Sequence, residues 1–314
     1  MLKSPLNYTG NKLRILPQIL PHFKSKPRVM VDLFCGGATV GINSDAETVI
    51  FVDSNERVIS LLKYLASVDI GCFITLLIEK AKEYNLSVSC LGGYQNYFSL
   101  KPSANKNNGL KEFNKKGFYQ LRKDYNQLAD KESNSANLLL YLLLVYGFNN
   151  DLRFNSRGEY NLPCGKTDLN KNNIEKIKAF NKKAKTHNYT FICGDFREER
   201  IKKIVYSCDF LYCDPPYLIT DAVYNETSKW NEQTENELIA FLQSVKDKGI
   251  PFVLSNVLSK SFGSIINKPL DTFIRSNPDL NVYDIDYHYR SSSYNKKNRD
   301  AKEREIIVVF GETK

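Results

Sequence analysis

The 314-residue sequence predicts an α/β fold, a doubly wound sheet built from both ends of the chain and interrupted by an inserted, mainly helical domain that carries a β-hairpin. Three observations carry this expectation. Val29 to Phe34 and Thr48 to Val52 are short apolar runs separated by a glycine turn, Cys35-Gly36-Gly37-Ala38; strand, tight turn, helix, strand is how a doubly wound sheet opens. Thr190 to Cys193, Phe252 to Ser255 and Glu305 to Phe310 are further short runs, rich in β-branched or aromatic residues and bounded by turn signals. The stretch from Asp69 to Lys185 is instead polar and rich in Asn and Lys, with low-complexity segments such as Asn105-Lys106-Asn107-Asn108-Gly109. Its apolar run, Asn137 to Phe148, reads as a core helix of the insertion and is too short to cross a bilayer. The expected domains are therefore 1–66 together with 186–314, and 67–185.

In the first turn, Gly36 and Gly37 let the backbone approach a ligand at a helix N-terminus. Asp53, ending the second strand, is placed to bind ribose hydroxyls. Nicotinamide-binding domains share this layout, so the pattern alone leaves the cofactor open. After the apolar run comes a polar stretch, Phe148 to Lys166, in which Ser156-Arg157-Gly158-Glu159 reads as a hairpin turn between two strands. Such a ribbon fits a DNA major groove, where Arg153 can make the paired contact to guanine and Asn149, Asn155 and Asn161 can read adenine edges. A solvated hairpin is the plainer alternative.

Lys plus Arg number 44 against 35 for Asp plus Glu, and the formal charge of +9 favours a nucleic-acid partner over an acidic small molecule. No apolar run is long enough to span a membrane, and Met1-Leu2-Lys3-Ser4-Pro5 lacks the apolar core of a signal peptide, so a cytoplasmic protein is expected. The seven cysteines are odd in number and form no CxxC pair, which predicts neither structural zinc nor disulfides, and no metal site.

Residues 214 to 217 read Asp-Pro-Pro-Tyr and follow Asp209-Phe210-Leu211-Tyr212-Cys213, which has the composition of a buried strand. Alone, this is an ordinary turn after a strand. Its residue types nevertheless suit the gripping of a planar exocyclic amine such as N6 of adenine, a poor nucleophile because its lone pair is delocalised into the ring. Asp214 can accept one amine hydrogen. The carbonyl of Pro215, held in one direction because adjacent prolines fix φ at about −65°, can accept the other. Tyr217, beside Pro216, supplies a face on which a base taken out of a duplex can stack.

These residues carry a resemblance to the DNA adenine methylase (Dam-like) family, the D12-class, alpha-group N6-adenine DNA methyltransferases. Asn7-Tyr8-Thr9-Gly10-Asn11-Lys12 resembles the family's N-terminal aromatic-x-Gly-Gly-Lys segment, and Asp32-Leu33-Phe34-Cys35-Gly36-Gly37 its glycine motif. The hairpin from Asn149 to Lys166 resembles its target-reading hairpin, and Asp214-Pro215-Pro216-Tyr217 its catalytic tetrad; Leu254-Ser255-Asn256 resembles a family strand end. The resemblance implies a Rossmann-like methyltransferase sheet over 1–66 and 186–314 and a DNA target-recognition domain over 67–185. It implies S-adenosylmethionine as cofactor, held by Tyr8, Gly10, Lys12, Asp32, Phe34, Gly36, Gly37, Asp53, Asp195, Phe196 and Asp214. Double-stranded DNA is the implied partner, met by Asn149, Asp151, Arg153, Asn155, Arg157, Asn161 and Pro163, and by Arg290, Lys296, Lys297 and Arg299 in a polar loop facing phosphates. A cognate restriction endonuclease fits such an enzyme, whereas no obligatory protein partner and no membrane are implied.

The sequence departs from the family pattern in three motifs. Tyr8 stands where Trp is frequent, Asn11 and Ala38 stand where glycines are frequent, and Asn150-Asp151 replace Gly-Leu of GATC-specific members. A carboxylate at 151 prefers the amino group of cytosine, which makes a site related to GATC as consistent as GATC itself. The expected reaction is methyl transfer to N6 of a flipped adenine. N4-cytosine transfer, an inactive DNA-binding relative and a nicotinamide enzyme are the alternatives. The polar stretch after Tyr217, with Tyr224 and Trp230, is expected to form a lid over the base.

Overall fold

The computed structural model describes residues 1–7, 10–97, 109–219, 230–261, 263–286 and 303–311. Its strands are β1 (Val29–Leu33), β2 (Thr48–Asp53), β3 (Asn188–Cys193), β4 (Phe210–Cys213), β5 (Phe252–Lys260), β6 (Ile265–Ile266), β7 (Asn281–Asp284) and β8 (Arg304–Phe310). Its helices are α1 (Leu16–Ile19), α2 (Glu56–Ser67), α3 (Ile70–Glu83), α4 (Ser89–Gly92), α5 (Lys111–Gln127), α6 (Asn134–Tyr146), α7 (Lys171–Ala184), α8 (Glu199–Tyr206), α9 (Glu232–Asp247) and α10 (Lys268–Ser276).

One sheet runs in the order β3-β2-β1-β4-β5-β8-β7, with β6 added against β5. β1 is parallel to β2 and β4, and β4 to β5, while β8 is antiparallel to both β5 and β7. This is the expected α/β sheet. β4 is buried at every position, which is why it reads as a continuous apolar run rather than an alternating one. β7 escapes the sequence pattern because Asn281-Val282-Tyr283-Asp284 lies at the sheet edge with mostly exposed side chains, so no burial demand shapes its composition.

The chain divides into two compact units. The sheet unit comprises Lys12–Cys35, Asn43–Ser54 and Ile192–Lys314. Its core joins Val31, Leu33, Leu211, Phe252, Leu254, Ile306 and Val308 of the strands to Ile201 and Val205 of α8, Leu238, Leu242 and Val245 of α9, and Leu270 and Phe273 of α10. In α9 the buried residues 238, 241, 242 and 245 recur at helical spacing, and Asn231 caps the helix by accepting a hydrogen bond from the Thr234 amide at 3.0 Å.

The helical unit comprises Met1–Asn11, Gly36–Ile42 and Asn55–Phe191. At its centre is α6, in which every residue from Ala136 to Tyr146 is buried. A helix apolar around its whole circumference must be enclosed, and α2, α3 and α5 pack against it. The expected core helix over Asn137 to Phe148 is this element, which begins three residues earlier and ends two residues earlier. Asn181 of α7 donates to the carbonyls of Leu65 at 2.8 Å and Val68 at 3.0 Å, tying α7 to the end of α2 and satisfying carbonyls left open where that helix stops. Near the N-terminus, Ser4 Oγ donates to the Gly37 carbonyl at 2.5 Å.

Leu143 in α6 is fully buried. Leu143→Ala is expected to lower the unfolding free energy by about 2–5 kcal/mol, the range for truncating a buried leucine. Urea titration followed by circular dichroism measures it, and a loss below about 0.5 kcal/mol would show that α6 is not the packed centre of its unit.

Candidate active site

Strand register assembles the site. Leu33 of β1 lies beside Val52 of β2 and Cys213 of β4, so the three parallel strands reach one level and the residues that follow these, Phe34, Asp53 at the last position of β2, and Asp214, emerge together at the carboxyl edge. β1 lies between β2 and β4, the point at which strand order reverses, and an open α/β sheet offers its binding crevice there.

Asp214 is held from several directions. Its amide donates to the Leu33 carbonyl at 3.2 Å, and Lys12 Nζ lies 2.8 Å from its Oδ2. The Lys12 side chain is 6% exposed and that of Asp214 16%, so the pair is largely withdrawn from water. The Lys12 ammonium also stands 5.0 Å from the centre of the Tyr217 ring. Tyr217 places its hydroxyl 3.2 Å from Asp214 Oδ1 and 3.0 Å from Glu305 Oε1. Burial pushes the Asp214 carboxyl above its usual range, with Lys12 and the Tyr217 hydroxyl opposing the rise. Burial likewise raises Glu305, opposed by Lys12 and reinforced by the negative charge of Asp214. Pro215 is buried and Pro216 half-buried.

Beyond β1 the backbone has positive φ at Phe34 (63°), Gly36 (47°) and Ala38 (62°). Ala38 thus occupies left-handed backbone, the conformation that favours glycine there. The Phe34 ring lies 5.7 Å from Phe196 and meets Trp230 edge-on at 5.6 Å. Asp53 accepts the Gly194 amide on its carbonyl at 2.9 Å, which brings Asp195 and Phe196 to the end of β2. Both carboxylate oxygens of Asp195 accept from the Arg197 guanidinium at 2.8 Å, and these bonds hold its carboxyl below the usual range. Asp32 is buried within β1.

Phe34 and Phe196 pack together at the end of β1, and the Asp53–Gly194 backbone bond brings Asp195 to the end of β2, so two carboxylates and two rings converge on one edge of the sheet unit as candidates to hold a ligand. Cys35 and Cys213 are buried, and burial raises both thiols well above their ordinary range, so neither is poised as a nucleophile.

Two features lay outside the sequence reading. Glu305 is the second residue of β8, and the run Glu305 to Phe310 marks it only as part of a strand, with no sign that its carboxyl meets Tyr217. Glu235 of α9 is fully buried, accepting from Trp230 Nε1 at 2.7 Å, Asn256 Nδ2 at 3.0 Å and Asn267 Nδ2 at 2.7 Å. These bonds anchor Trp230 at the far end of the expected lid; the lid itself, residues 220–229 including Tyr224, lies outside the described residues. So do Tyr8, Arg290, Lys296, Lys297 and Arg299.

The helical unit holds the expected hairpin as a ribbon with two isolated bridges, Gly147 with Cys164 and Phe154 with Tyr160. Buried Tyr160 donates from its hydroxyl toward the carbonyls of Leu143 at 3.0 Å and Asp151 at 3.1 Å, anchoring the ribbon to α6. Arg153 Nε donates to Asn161 Oδ1 at 2.9 Å, Asn155 donates to Glu159 at 2.8 Å, and Arg157 pairs with Glu159 at 3.0 Å. Asn149 and Pro163 are exposed and Asp151 half-buried. Asn150, at φ 54°, donates to the Val145 carbonyl at 2.6 Å and to Thr167 Oγ1 at 2.7 Å, so its side chain closes the end of α6.

A family model for the D12 class N6 adenine-specific DNA methyltransferases matches residues 8–278. Among curated proteins, the modification methylase StsI of Streptococcus sanguinis is 33% identical over 319 residues, covering 100% of this chain and 43% of that protein. The type II methyltransferase M.FokI of Planomicrobium okeanokoites is 32% identical over 323 residues, covering 100% and 44%. The DNA adenine methylase of Escherichia coli K12 is 25% identical over 255 residues, covering 80% and 79%. The chain thus spans less than half the length of the first two relatives.

Burial raises the Glu235 carboxyl above its ordinary value of 4.5, against the three neutral donors that lower it. The native state therefore holds that proton more tightly than the unfolded chain, and the group's contribution to stability falls as pH rises from about 4.5 through the native value. Glu235→Gln loses an acceptor for Trp230 at every pH but does not titrate. Its stability relative to the parent is expected to improve from acidic to mildly alkaline buffer, measured by urea unfolding of both proteins; a difference independent of pH would show that Glu235 does not titrate differently in the two states.

Proposed function

Because the chain belongs to the D12 class N6 adenine-specific DNA methyltransferases, we propose that it transfers a methyl group from S-adenosylmethionine to N6 of an adenine flipped out of double-stranded DNA at a specific site. The observation that carries this reading is the placement of Asp214 at the switch point of the sheet, largely buried and in contact with Lys12 and Tyr217. The cofactor supplies an electrophilic methyl group. The chain's part is to bind and orient the amine. Asp214 accepts one N6 hydrogen and the Pro215 carbonyl the other, drawing the nitrogen toward tetrahedral geometry and freeing its lone pair. Pro216 stiffens the turn and Tyr217 stacks on the base.

In the sheet unit, Lys12, Asp32, Phe34, Asp53, Asp195 and Phe196 are assigned to the cofactor, the carboxylate of Asp53 to ribose hydroxyls and the rings to its adenine. Asp214 borders the same ligand. Tyr8, Gly10, Gly36 and Gly37 are assigned to it by the family motifs alone. We assign 1–66 and 186–314 to catalysis and 67–185 to target recognition, with Asn149, Asp151, Arg153, Asn155, Arg157, Asn161 and Pro163 on the reading ribbon and Arg290, Lys296, Lys297 and Arg299 on phosphates. Asn150 is bonded within the protein, which leaves Asp151 as the acidic reader and favours a site related to GATC over GATC itself. A cytoplasmic enzyme working beside a cognate restriction endonuclease fits the modification methylases it resembles.

The test is incubation with unmethylated genomic DNA and S-adenosylmethionine, digestion to nucleosides and identification of the product by mass. N6-methyladenine is expected from the parent, and Asp214→Ala is expected to lose about 10²–10³-fold or more in kcat while remaining folded, the scale for removing a hydrogen-bonding group at the reacting centre. N4-methylcytosine, or no methylated nucleoside from well-folded protein, would overturn the reading.

A further inference from the structure

Glu305 lies outside every motif considered above, yet it shares the Tyr217 hydroxyl with Asp214. Its residue is 6% exposed, and its backbone is fixed: Glu305 pairs with Val257 in the β5–β8 register and its carbonyl accepts the Ile285 amide at 2.9 Å. The side chain reaches Tyr217 from a rigid strand rather than from a loop.

A tyrosine hydroxyl carries one proton. Of its two carboxylate neighbours, Glu305 Oε1 is at 3.0 Å and Asp214 Oδ1 at 3.2 Å. O–H···O bonds span about 2.5–3.0 Å, so the Glu305 contact has the better length for the hydroxyl proton and the Asp214 contact is long for such a bond. The other oxygen of Asp214 is taken by Lys12 at 2.8 Å. With Glu305 drawing the hydroxyl proton, Oδ1 keeps lone-pair capacity for an incoming N–H. Without Glu305, Tyr217 turns its proton onto Oδ1 and competes with the substrate for it.

The geometry points to Glu305 as a positioning residue of the methyl-transfer site: it takes the Tyr217 hydroxyl, fixing the stacking ring and reserving Asp214 Oδ1 for a hydrogen of the target amine. This rests on the reading of Asp214 as the amine's acceptor. The Oδ1 bond strengthens as the amine nitrogen becomes tetrahedral, so the contribution falls on the chemical step rather than on DNA affinity.

The experiment is a double-mutant cycle of Glu305→Ala and Tyr217→Phe, assayed on unmethylated genomic DNA in mildly alkaline buffer, with N6-methyladenine quantified as product. Glu305→Ala alone is expected to lower kcat about tenfold or more while the apparent KM for DNA moves less than about twofold. Glu305→Gln, which keeps an acceptor, is expected to fall between Ala and the parent. In the Tyr217→Phe background, where the shared hydroxyl is gone, Glu305→Ala is expected to cost less than about threefold, because the two residues act through one contact. Thermal melts confirm that each variant is folded, and if the Ala variant is not, Glu305→Gln carries the same cycle. The inference is overturned if Glu305→Ala leaves kcat unchanged, if its loss appears in KM, or if the same factor is lost with and without the hydroxyl. A parent that yields N6-methyladenine beside any of these results leaves the functional reading intact; a folded parent that yields none removes both.

Discussion

The register of three parallel strands is the constraint on which the sheet unit depends. β1 pairs with β2 on one side and β4 on the other so that Leu33, Val52 and Cys213 are neighbours. Parallel strands all point the same way, so their carboxyl ends lie at one edge, and a common stopping level turns three separated sequence positions into one rim. A slip of one residue in β4 would turn its side chains to the opposite faces and withdraw Asp214 from that rim. The burial of β4 at every position makes such a slip costly, because it exchanges the packing partners of both faces at once.

A second constraint is electrostatic. Two carboxyl groups, Asp214 and Glu305, lie near one ammonium, Lys12, and one hydroxyl, Tyr217. Burying a carboxylate is costly unless it is paired and hydrogen-bonded, and Lys12 is committed to Asp214 by direct contact at 2.8 Å. The cluster is therefore coupled: removing any member changes the proton or hydrogen-bond state of the others. Glu235 shows the contrasting solution nearby, a buried carboxyl satisfied by three neutral donors, Trp230, Asn256 and Asn267, with its shift set by burial. The first arrangement leaves a carboxylate oxygen with capacity for a ligand, and the second makes a fixed wall behind Phe34.

The helical unit obeys a simpler rule. α6 is apolar all round and so must be central, and the ribbon that follows it is anchored by the buried Tyr160. Polar side chains on the ribbon are engaged with one another, as Arg153 with Asn161 and Arg157 with Glu159 show. If the ribbon reads bases as proposed, those contacts would exchange internal hydrogen bonds for intermolecular ones.

The sequence by itself determined the α/β class, because apolar runs bounded by turns must become buried strands, and it marked the glycine turn and Asp-Pro-Pro-Tyr, because their residue types act through local backbone geometry. Periodicity likewise made α6 legible. It did not reveal β7, whose exposed edge imposes no pattern, nor the anchoring of Trp230, nor Glu305, which lies 88 residues beyond Tyr217 in the chain. Which carboxyl meets which hydroxyl is decided by strand order and register. β8 enters the sheet beside β5, next to β4, and only that pairing brings the head of β8 to the turn that follows β4. Local chemistry can be read along a chain, but hydrogen bonds between distant residues exist only once the sheet has set the distance between them.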